Sequence, residues 1–364
     1  MTRRCLAVRL DSAGDVLLTG PAVRAIAAYC DSVTILAGPD GAAAARLLPG
    51  AAAVLVWSSP WVVRDPPPVR AGDVLALAAR LTAEGFTDAV IFTSFHQSPL
   101  PTALVLRLAG IPRIAAISED YPGSLLDLRH CGDDGIPEVE RALALARAAG
   151  FGLPPGDNGR LAVRHPLPDV TGLTGPGPYV VLHPGASAPA RRWPVHRWAE
   201  AVAELVGRGR RVVLTGSADE RELTAAAAGK PRCRSGAQVV DLGGRTSLAE
   251  LAAVVARADA VMVANTGVAH LAAAVQTAVV SLFAPVVPAA CWSPYGVPVA
   301  LLGDQHAPCR GSRAVHCPVP GHPCLTGVSA AAACDALDQL TARGARAAAH
   351  AGLPMAGPRS LERR

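Results

Sequence analysis

Short runs of β-branched and aliphatic residues alternate with Ala- and Leu-rich stretches through the first half of the chain. CLAVRL (5–10), SVTILAG (32–38), AVLVW (53–57), DAVIFTSF (88–95) and RIAAIS (113–118) read as strands, each followed by a helical stretch or a loop. Strands separated by helices imply right-handed crossovers and a parallel sheet. The pattern stops between Phe151 and Pro178, a stretch dense in Pro and Gly, and an interdomain linker is expected there, over 161–178. It then restarts. YVVLHPG (179–185), RRVVLTGS (210–217), VVDLGG (239–244), AVMVANTG (260–267) and VVSLFAP (279–285) read as strands. Helices are expected across 195–207, from Asp219, across 248–258 and through His270.

The pattern therefore predicts two Rossmann-like α/β domains of the same kind, 1–160 and 179–345, with a flexible tail over 346–364. Two such domains facing each other leave a cleft rimmed by the carboxyl ends of both sheets, where open α/β sheets bind ligands. The 364 residues are 51% hydrophobic but only 4% aromatic, so both cores are built from Ala, Val and Leu. The net charge of +5 comes from scattered arginines with no five-residue basic run, which argues against nucleic acid as a partner. The segment 271–303 carries no charge, but Pro285, Pro288, Pro294 and Pro298 divide it. It reads as a buried helix end, a strand and loops, not as a membrane span. Charged residues near the start leave no room for a secretion signal, and nine cysteines without one suggest a reduced, cytoplasmic protein.

Four constellations carry candidate chemistry. In LDSAGDV a strand hands over to a helix through a turn holding two carboxylates, Asp11 and Asp15; on spacing alone Asp15 serves as well as a helix cap. HPGASAPARRWP (183–194) puts Gly and small residues, Ser187 among them, before Arg191, Arg192 and a helix start, a pattern suited to an anion or to an ordinary loop. LTGSADERE (214–222) offers Asp219 and Glu220 at a strand end, either for ribose hydroxyls or as first-turn charges. ANTGVAHLAAA (264–274) brings Asn265, Thr266 and Gly267 to a helix start, with His270 about one turn inside. A cysteine- and histidine-bearing stretch, 309–324, lacks the paired CxxC spacing of zinc sites, and packed thiols or an oxidation-prone loop are expected there. No GxGxxG and no GxxxxGK[ST] occurs, which disfavours a nicotinamide dehydrogenase and a P-loop enzyme.

Taken in order, RLDSAGDVLLTGPA, HPGASAPARRWP, the GSADERE turn, TSLAELAAVVARADAVMVANTGVAHLAAA and CPVPGHPCL resemble glycosyltransferase family 9, the bacterial ADP-heptose lipopolysaccharide heptosyltransferases and their relatives. The resemblance runs from near Arg9 to Leu325. It implies a two-domain GT-B fold, with acceptor held mainly by the first domain and nucleotide sugar mainly by the second. It also implies inverting, metal-independent transfer with no cofactor. In that pattern the Asp of the Gly14–Asp15 pair is the catalytic base, and Ser12 lies near the donor phosphates. The basic residue before Trp-Pro falls on Arg191 or Arg192, with basic-X-Trp-Pro favouring Arg191. The ribose-binding acid falls near Glu220, and Thr246 lies in the adenine-binding stretch. The Asp-Thr/Ser-Gly-x-x-His motif falls on Asn265, Thr266, Gly267 and His270.

This chain has Asn265 where such relatives usually carry Asp, so the group facing the donor's sugar or phosphate end is neutral and donor identity stays open. Asp11 adds a second carboxylate beside Asp15, and mutual repulsion is expected to raise the pKa of one of them. The expected partners are a nucleotide diphosphate sugar and a glycan or glycolipid acceptor, with membrane contact no more than peripheral; oligomeric state is not legible. Two other classes fit the same folds: a nucleotide-sugar epimerase, which would convert donor without acceptor, and a non-catalytic nucleotide-sugar binding protein, which would consume none.

Overall fold

The computed structural model describes residues 2–63, 65–133, 135–229 and 239–350. The first sheet contains β1 (Arg4–Arg9), β2 (Ser32–Ala37), β3 (Ala53–Val56), β4 (Asp88–Ile91), β5 (Arg113–Ile117) and β6 (Leu128–His130), in the order β3-β2-β1-β4-β5-β6. The second contains β7 (Val180–His183), β8 (Val212–Leu214), β9 (Val239–Asp241), β10 (Val261–Ala264), β11 (Val279–Leu282) and β12 (Val299–Leu302), in the order β12-β11-β10-β7-β8-β9. All neighbours are parallel. Central strands buried on both faces need continuous aliphatic runs, and β4, β7 and β10 are buried throughout.

The crossover helices of the first half are α1 (Ala13–Leu18), α2 (Gly20–Ala27), α3 (Ala42–Leu47), α4 (Ala71–Glu84), α5 (Leu100–Leu108) and α6 (Glu138–Ala148). After a short turn, α7 (Thr171–Thr174), come α8 (Val195–Gly207), α9 (Arg221–Ala228), α10 (Leu248–Ala256), α11 (Gly267–Ala274), α12 (Ala289–Trp292), α13 (Pro323–Thr326) and α14 (Ala330–His350). One hydrophobic cluster runs through both halves, joining Leu17, Val23 and Ile26 to Val254, Leu271 and Ala272. The helix α11 has every residue from Val268 to Ala274 buried, because it lies between its own sheet and α1 of the first half.

Both sheets of the expected kind are present, each with one more strand than the sequence pattern marks. The additions, β6 and β12, are edge strands of three and four residues that are only partly buried. An edge needs no unbroken apolar run, so neither stands out by periodicity. The uncharged segment 271–303 holds the end of α11, β11, α12 and β12, and among the described residues no helix is long and apolar enough to cross a membrane. The strand expected over 88–95 ends at Ile91. Phe92 still donates to the Val8 carbonyl at 2.9 Å, but beyond it the chain turns to meet side chains, Arg141 Nη1 donating to the Thr93 carbonyl at 2.8 Å. The helix α14 continues to His350, past residue 346 where the tail was expected; 351–364 lie outside the described residues.

The Pro- and Gly-rich stretch between the sheets is clamped. The Arg164 amide donates to the Leu47 carbonyl at 2.8 Å, its Nε to the Leu48 carbonyl at 3.0 Å, and Leu161, Val163 and Val170 are buried. At its start Arg24 of α2 donates to Asp157 through Nε at 2.6 Å and Nη2 at 2.8 Å. The hydrogen bonds from Arg24 hold the Asp157 carboxyl below its ordinary value despite partial burial. Asp157→Asn is therefore expected to cost about 1–3 kcal/mol of unfolding free energy at pH 7. Because the folded-state carboxyl is depressed, its contribution is complete above the unfolded value and is lost as pH falls through the folded one. Urea titrations at pH 7 and pH 3 check this: the gap between wild type and variant narrows at the lower pH.

Candidate active site at the facing edges of the two sheets

In each sheet the chain first builds outward in one direction and later returns to add strands on the other side. The direction reverses between β1 and β4 in the first sheet and between β7 and β10 in the second. Crevices open at such points beyond the carboxyl ends of the strands. The turns leaving β1 and β4 carry Asp11, Ser12, Asp15 and Ser94 to Gln97; those leaving β7 and β10 carry Ser187, Arg191, Asn265 and Thr266.

The crevices meet because α1 and α11 touch. A Cβ on Gly14 would lie 3.0 Å from the Gly267 Cα and 3.0 Å from the His270 ring, so backbone rests on backbone there. This contact sets Asp15, one residue along α1, facing α11. Ser12 Oγ donates to Asp15 Oδ2 at 2.7 Å, and Arg9 Nη2 donates to Asp15 Oδ1 at 3.1 Å. Burial would raise the Asp15 carboxyl, but the Arg9 charge and the Ser12 hydroxyl outweigh it and hold the group below its ordinary value. Asp15 thus stays ionised through the neutral range while keeping 20% of its side chain exposed to the crevice.

Beneath it lies a cluster that sequence reasoning did not single out. Arg9, at the end of β1, is 4% exposed. Its Nε is 2.8 Å from Asp11 Oδ2, and its Nη1 is 3.9 Å from Glu138 Oε2 on α6. Its Nη2 also donates to Ser94 Oγ at 3.0 Å, and that hydroxyl donates onward to Asp11 at 3.4 Å. Gln97 Nε2 donates to Asp11 Oδ1 at 2.5 Å. Burial, opposed by Arg9 and reinforced by Asp15, pushes Asp11 up, so the two neighbouring carboxylates separate in the sense expected of like charges. Burial also raises Glu138. An arginine closing an apolar strand and a glutamate in a distant helix's first turn each carry a bland local explanation; only the fold brings them together.

On the opposite side His270 is buried within α11, and its Nδ1 has no hydrogen-bond partner among the described residues. Burial lowers its pKa to about 4, with the Asp15 charge raising it and that of Arg191 lowering it further, so the imidazole is neutral and lies within electrostatic reach of both. Asn265, 5% exposed, likewise leaves its Nδ2 without a partner among the described residues, and Thr266 is the N-cap of α11. The two arginines diverge. Arg192 is exposed and folds back to donate from Nε to the Ala186 carbonyl of its own loop at 2.8 Å, whereas the half-buried Arg191 acts on His270. Ser187 is exposed in that loop.

Glu220 sits further along the same edge. Its Oε2 accepts from the Ser217 amide at 2.9 Å and lies 4.0 Å from His183 Nε2, while His183 Nδ1 is 3.0 Å from Thr215 Oγ1. Burial lowers the His183 pKa despite the nearby carboxylate. Thr246 is half-buried just before α10, in a turn resting on the Glu220 turn through the Gly244 amide, which donates to the Gly216 carbonyl at 2.9 Å. Asp15 and Arg191 thus both bear on His270, Asn265 stands just before the same helix, and the turns of Glu220 and Thr246 adjoin through Gly216 and Gly244.

The Cys309–Cys324 stretch packs against the Arg191 loop, where the Ala190 amide donates to the Val315 carbonyl at 2.9 Å. Cys309 and Cys324 are buried in the second core, and Cys317 Sγ donates to the Val319 carbonyl at 3.4 Å. His322 Nε2 is 3.0 Å from the Ala190 carbonyl. Among the described residues no three His, Cys, Asp or Glu side chains gather closely enough to hold a metal ion.

The model of glycosyltransferase family 9 (heptosyltransferase) matches residues 74–320. The chain belongs to glycosyltransferase family 9. Lipopolysaccharide heptosyltransferase 2 of Escherichia coli (strain K12) is 30% identical over 197 residues, 50% of this chain and 57% of that protein. Lipopolysaccharide heptosyltransferase 1 of Pseudomonas aeruginosa is 35% identical over 162 residues, 41% of this chain and 44% of that one. The chain therefore spans about half the length of the curated relatives it matches. Among solved structures, E. coli ADP-heptose lps heptosyltransferase II aligns over 94% of this chain and 99% of its own, with a TM-score of 0.71 at 20% identity. A family 9 glycosyltransferase from Veillonella parvula aligns over 94% and 97%, with a TM-score of 0.74 at 15% identity. The fold is that of the GT-B glycosyltransferases. The family match begins at residue 74, downstream of Asp15, so the first-half site rests on its geometry.

For this family 9 protein the buried neutral His270 has a measurable cost. A histidine whose folded-state pKa lies below its unfolded value loses stability as pH falls from the unfolded value toward the folded one. His270→Gln is expected to flatten the fall in unfolding free energy between pH 6.5 and pH 4 by about 1–3 kcal/mol. Chemical denaturation of both proteins across that range checks it.

Proposed function

We propose that this protein is an inverting, metal-independent glycosyltransferase that moves heptose from ADP-heptose to a cell-surface glycan or lipid-linked acceptor. The observation that carries the reading is the α1–α11 contact, which brings an ionised carboxylate on one domain opposite a neutral imidazole and an arginine on the other. It is supported by family membership and by the lipopolysaccharide heptosyltransferases among the relatives, and one solved neighbour is E. coli heptosyltransferase WaaC with ADP.

In this scheme Asp15 takes the proton of an acceptor hydroxyl while that oxygen attacks the anomeric carbon from the face opposite the diphosphate. The carbon–oxygen bond to the diphosphate breaks, and its electron pair leaves with the nucleoside diphosphate. Arg191 and the amino end of α11 at Thr266 meet the charge that develops there. The Asn265 amide and Gly267 line the sugar and phosphate end, and Ser12 orients the base. Ser187 and Arg192 border the phosphate loop. Glu220 accepts from the ribose hydroxyls, and Thr246 lies toward the adenine. The reading includes a cytoplasmic location, with contact to the membrane surface peripheral.

A positioned general base is worth roughly 10²- to 10⁴-fold in rate. Asp15→Asn is expected to reduce transfer at least about a hundredfold while ADP affinity changes by less than about threefold, because the amide keeps the shape and loses only proton acceptance. Turnover with ADP-heptose and calorimetric ADP binding, measured on the same preparations, check both halves. Unchanged turnover removes Asp15 from the reaction.

A further inference from the structure

Arg9 is itself buried, yet its guanidinium lies among three carboxylates and a hydroxyl. Nε faces Asp11 at 2.8 Å, Nη1 faces Glu138 at 3.9 Å, and Nη2 reaches both Asp15 at 3.1 Å and Ser94 Oγ at 3.0 Å. We propose that Arg9 is a positioning residue of the transfer reaction, its guanidinium held between Asp11 and Glu138 so that Nη2, also donating to Ser94, aims the Asp15 carboxylate into the crevice. This rests on the role of Asp15 as base proposed above.

The composition of the cluster supports a role beyond folding. Ion pairs buried this deeply gain little stability, since desolvation offsets their attraction, and an apolar side chain at the end of β1 would serve the core as well. Three carboxylates gather at the Arg9 guanidinium, Glu138 also lying 3.8 Å from Arg141 Nη1, and the negative charge still exceeds the positive, which a purely structural pair would avoid. The sharing is also unequal: Asp11 and Glu138 are pushed up by burial, while Asp15 alone is held down. The planar fork matters, because an ammonium is a point charge that cannot fix a direction for three partners at once. Ser94 completes the arrangement by accepting from the same nitrogen that holds Asp15.

Several groups act on Asp15 besides Arg9. Asp11 and Ser12 come from its own turn, His96 from the turn after β4, Glu138 from α6 and His270 from α11. Arg191 acts on His270 behind it. Of these, Arg9 is the group whose removal takes away a full, permanently held positive charge in contact with the carboxylate.

The test uses Arg9→Lys, Arg9→Met and Ser94→Ala in the full chain, with kcat, KM and donor Kd measured from pH 3 to pH 9. Arg9→Lys is expected to lower kcat about tenfold or more with donor Kd within about threefold, because the charge remains and the direction is lost. Arg9→Met is expected to move the acidic limb of the kcat profile up by about one pH unit or more, and Ser94→Ala to lower kcat several-fold without moving donor Kd. A structural role alone would lower the amount of folded protein and leave the limb in place. If Arg9→Met does not fold, Arg9→Lys and Ser94→Ala carry the test. Folded variants with kcat within about twofold of wild type and an unmoved limb overturn the proposal. Carboxyl ¹³C titration of Asp15 in wild type and Arg9→Met separates this from the parent reading. A wild type that transfers nothing from ADP-heptose fails the parent reading, whereas an Asp15 midpoint that ignores the substitution fails this one.

Discussion

Two glycines hold the molecule's working parts together. Gly14 and Gly267 sit at the first turns of α1 and α11, and a methyl group on either would meet the other's backbone. Without side chains between them, the helix starts approach until the residues that follow, Asp15 on one and His270 on the other, share a single electrostatic environment. A wider separation would leave each domain with an ordinary strand-to-helix turn. The hydrophobic cluster that crosses from one half to the other fixes this spacing, and the alanine-rich, aromatic-poor composition makes it attainable, since small side chains let helices lie close.

From that contact the electrostatics follow in order. Arg9 neutralises part of a carboxylate cluster at the carboxyl end of β1, Asp15 keeps its charge, and His270 stays neutral under burial. The second domain adds Arg191 and the amino end of α11. The proposed reaction thus divides acid–base chemistry and anion stabilisation between the two halves of the chain. Further links cross between the halves away from this centre: the Phe95 and Trp292 rings meet at a 50° tilt with centroids 5.3 Å apart, the Arg313 guanidinium lies 3.7 Å over the Phe95 ring, and the Tyr295 hydroxyl donates to Glu140.

Much of this was legible in the sequence, and what was not has physical reasons. Central strands announce themselves because burial on both faces demands uninterrupted aliphatic runs; β6 and β12, partly exposed at the edges, make no such demand. The turns carrying Asp15, Glu220 and Asn265 could be located because strand ends followed by small and polar residues are a local pattern. Arg9 could not, since its partners are spread from Asp11 to Glu138 and only tertiary structure gathers them. Ser94 was hidden inside an apolar run that reads as strand, with Gln97 just beyond it, but the chain turns after Phe92 and both reach Asp11. The divergence of Arg191 and Arg192 depends on which side chain folds onto its own loop, which adjacent identical residues do not reveal.

The complete burial of Val268 to Ala274 also limits how the two halves can change independently. A helix with no wet face offers no position where drift in shape is absorbed by solvent, so each substitution there presses on neighbours from both domains. A chimera that took its second half from another member of the family would import a foreign knob for a socket cut by α1. Such hybrids would have to exchange the first-half socket with it, making the seam between the domains, and not the linker, the natural unit of inheritance.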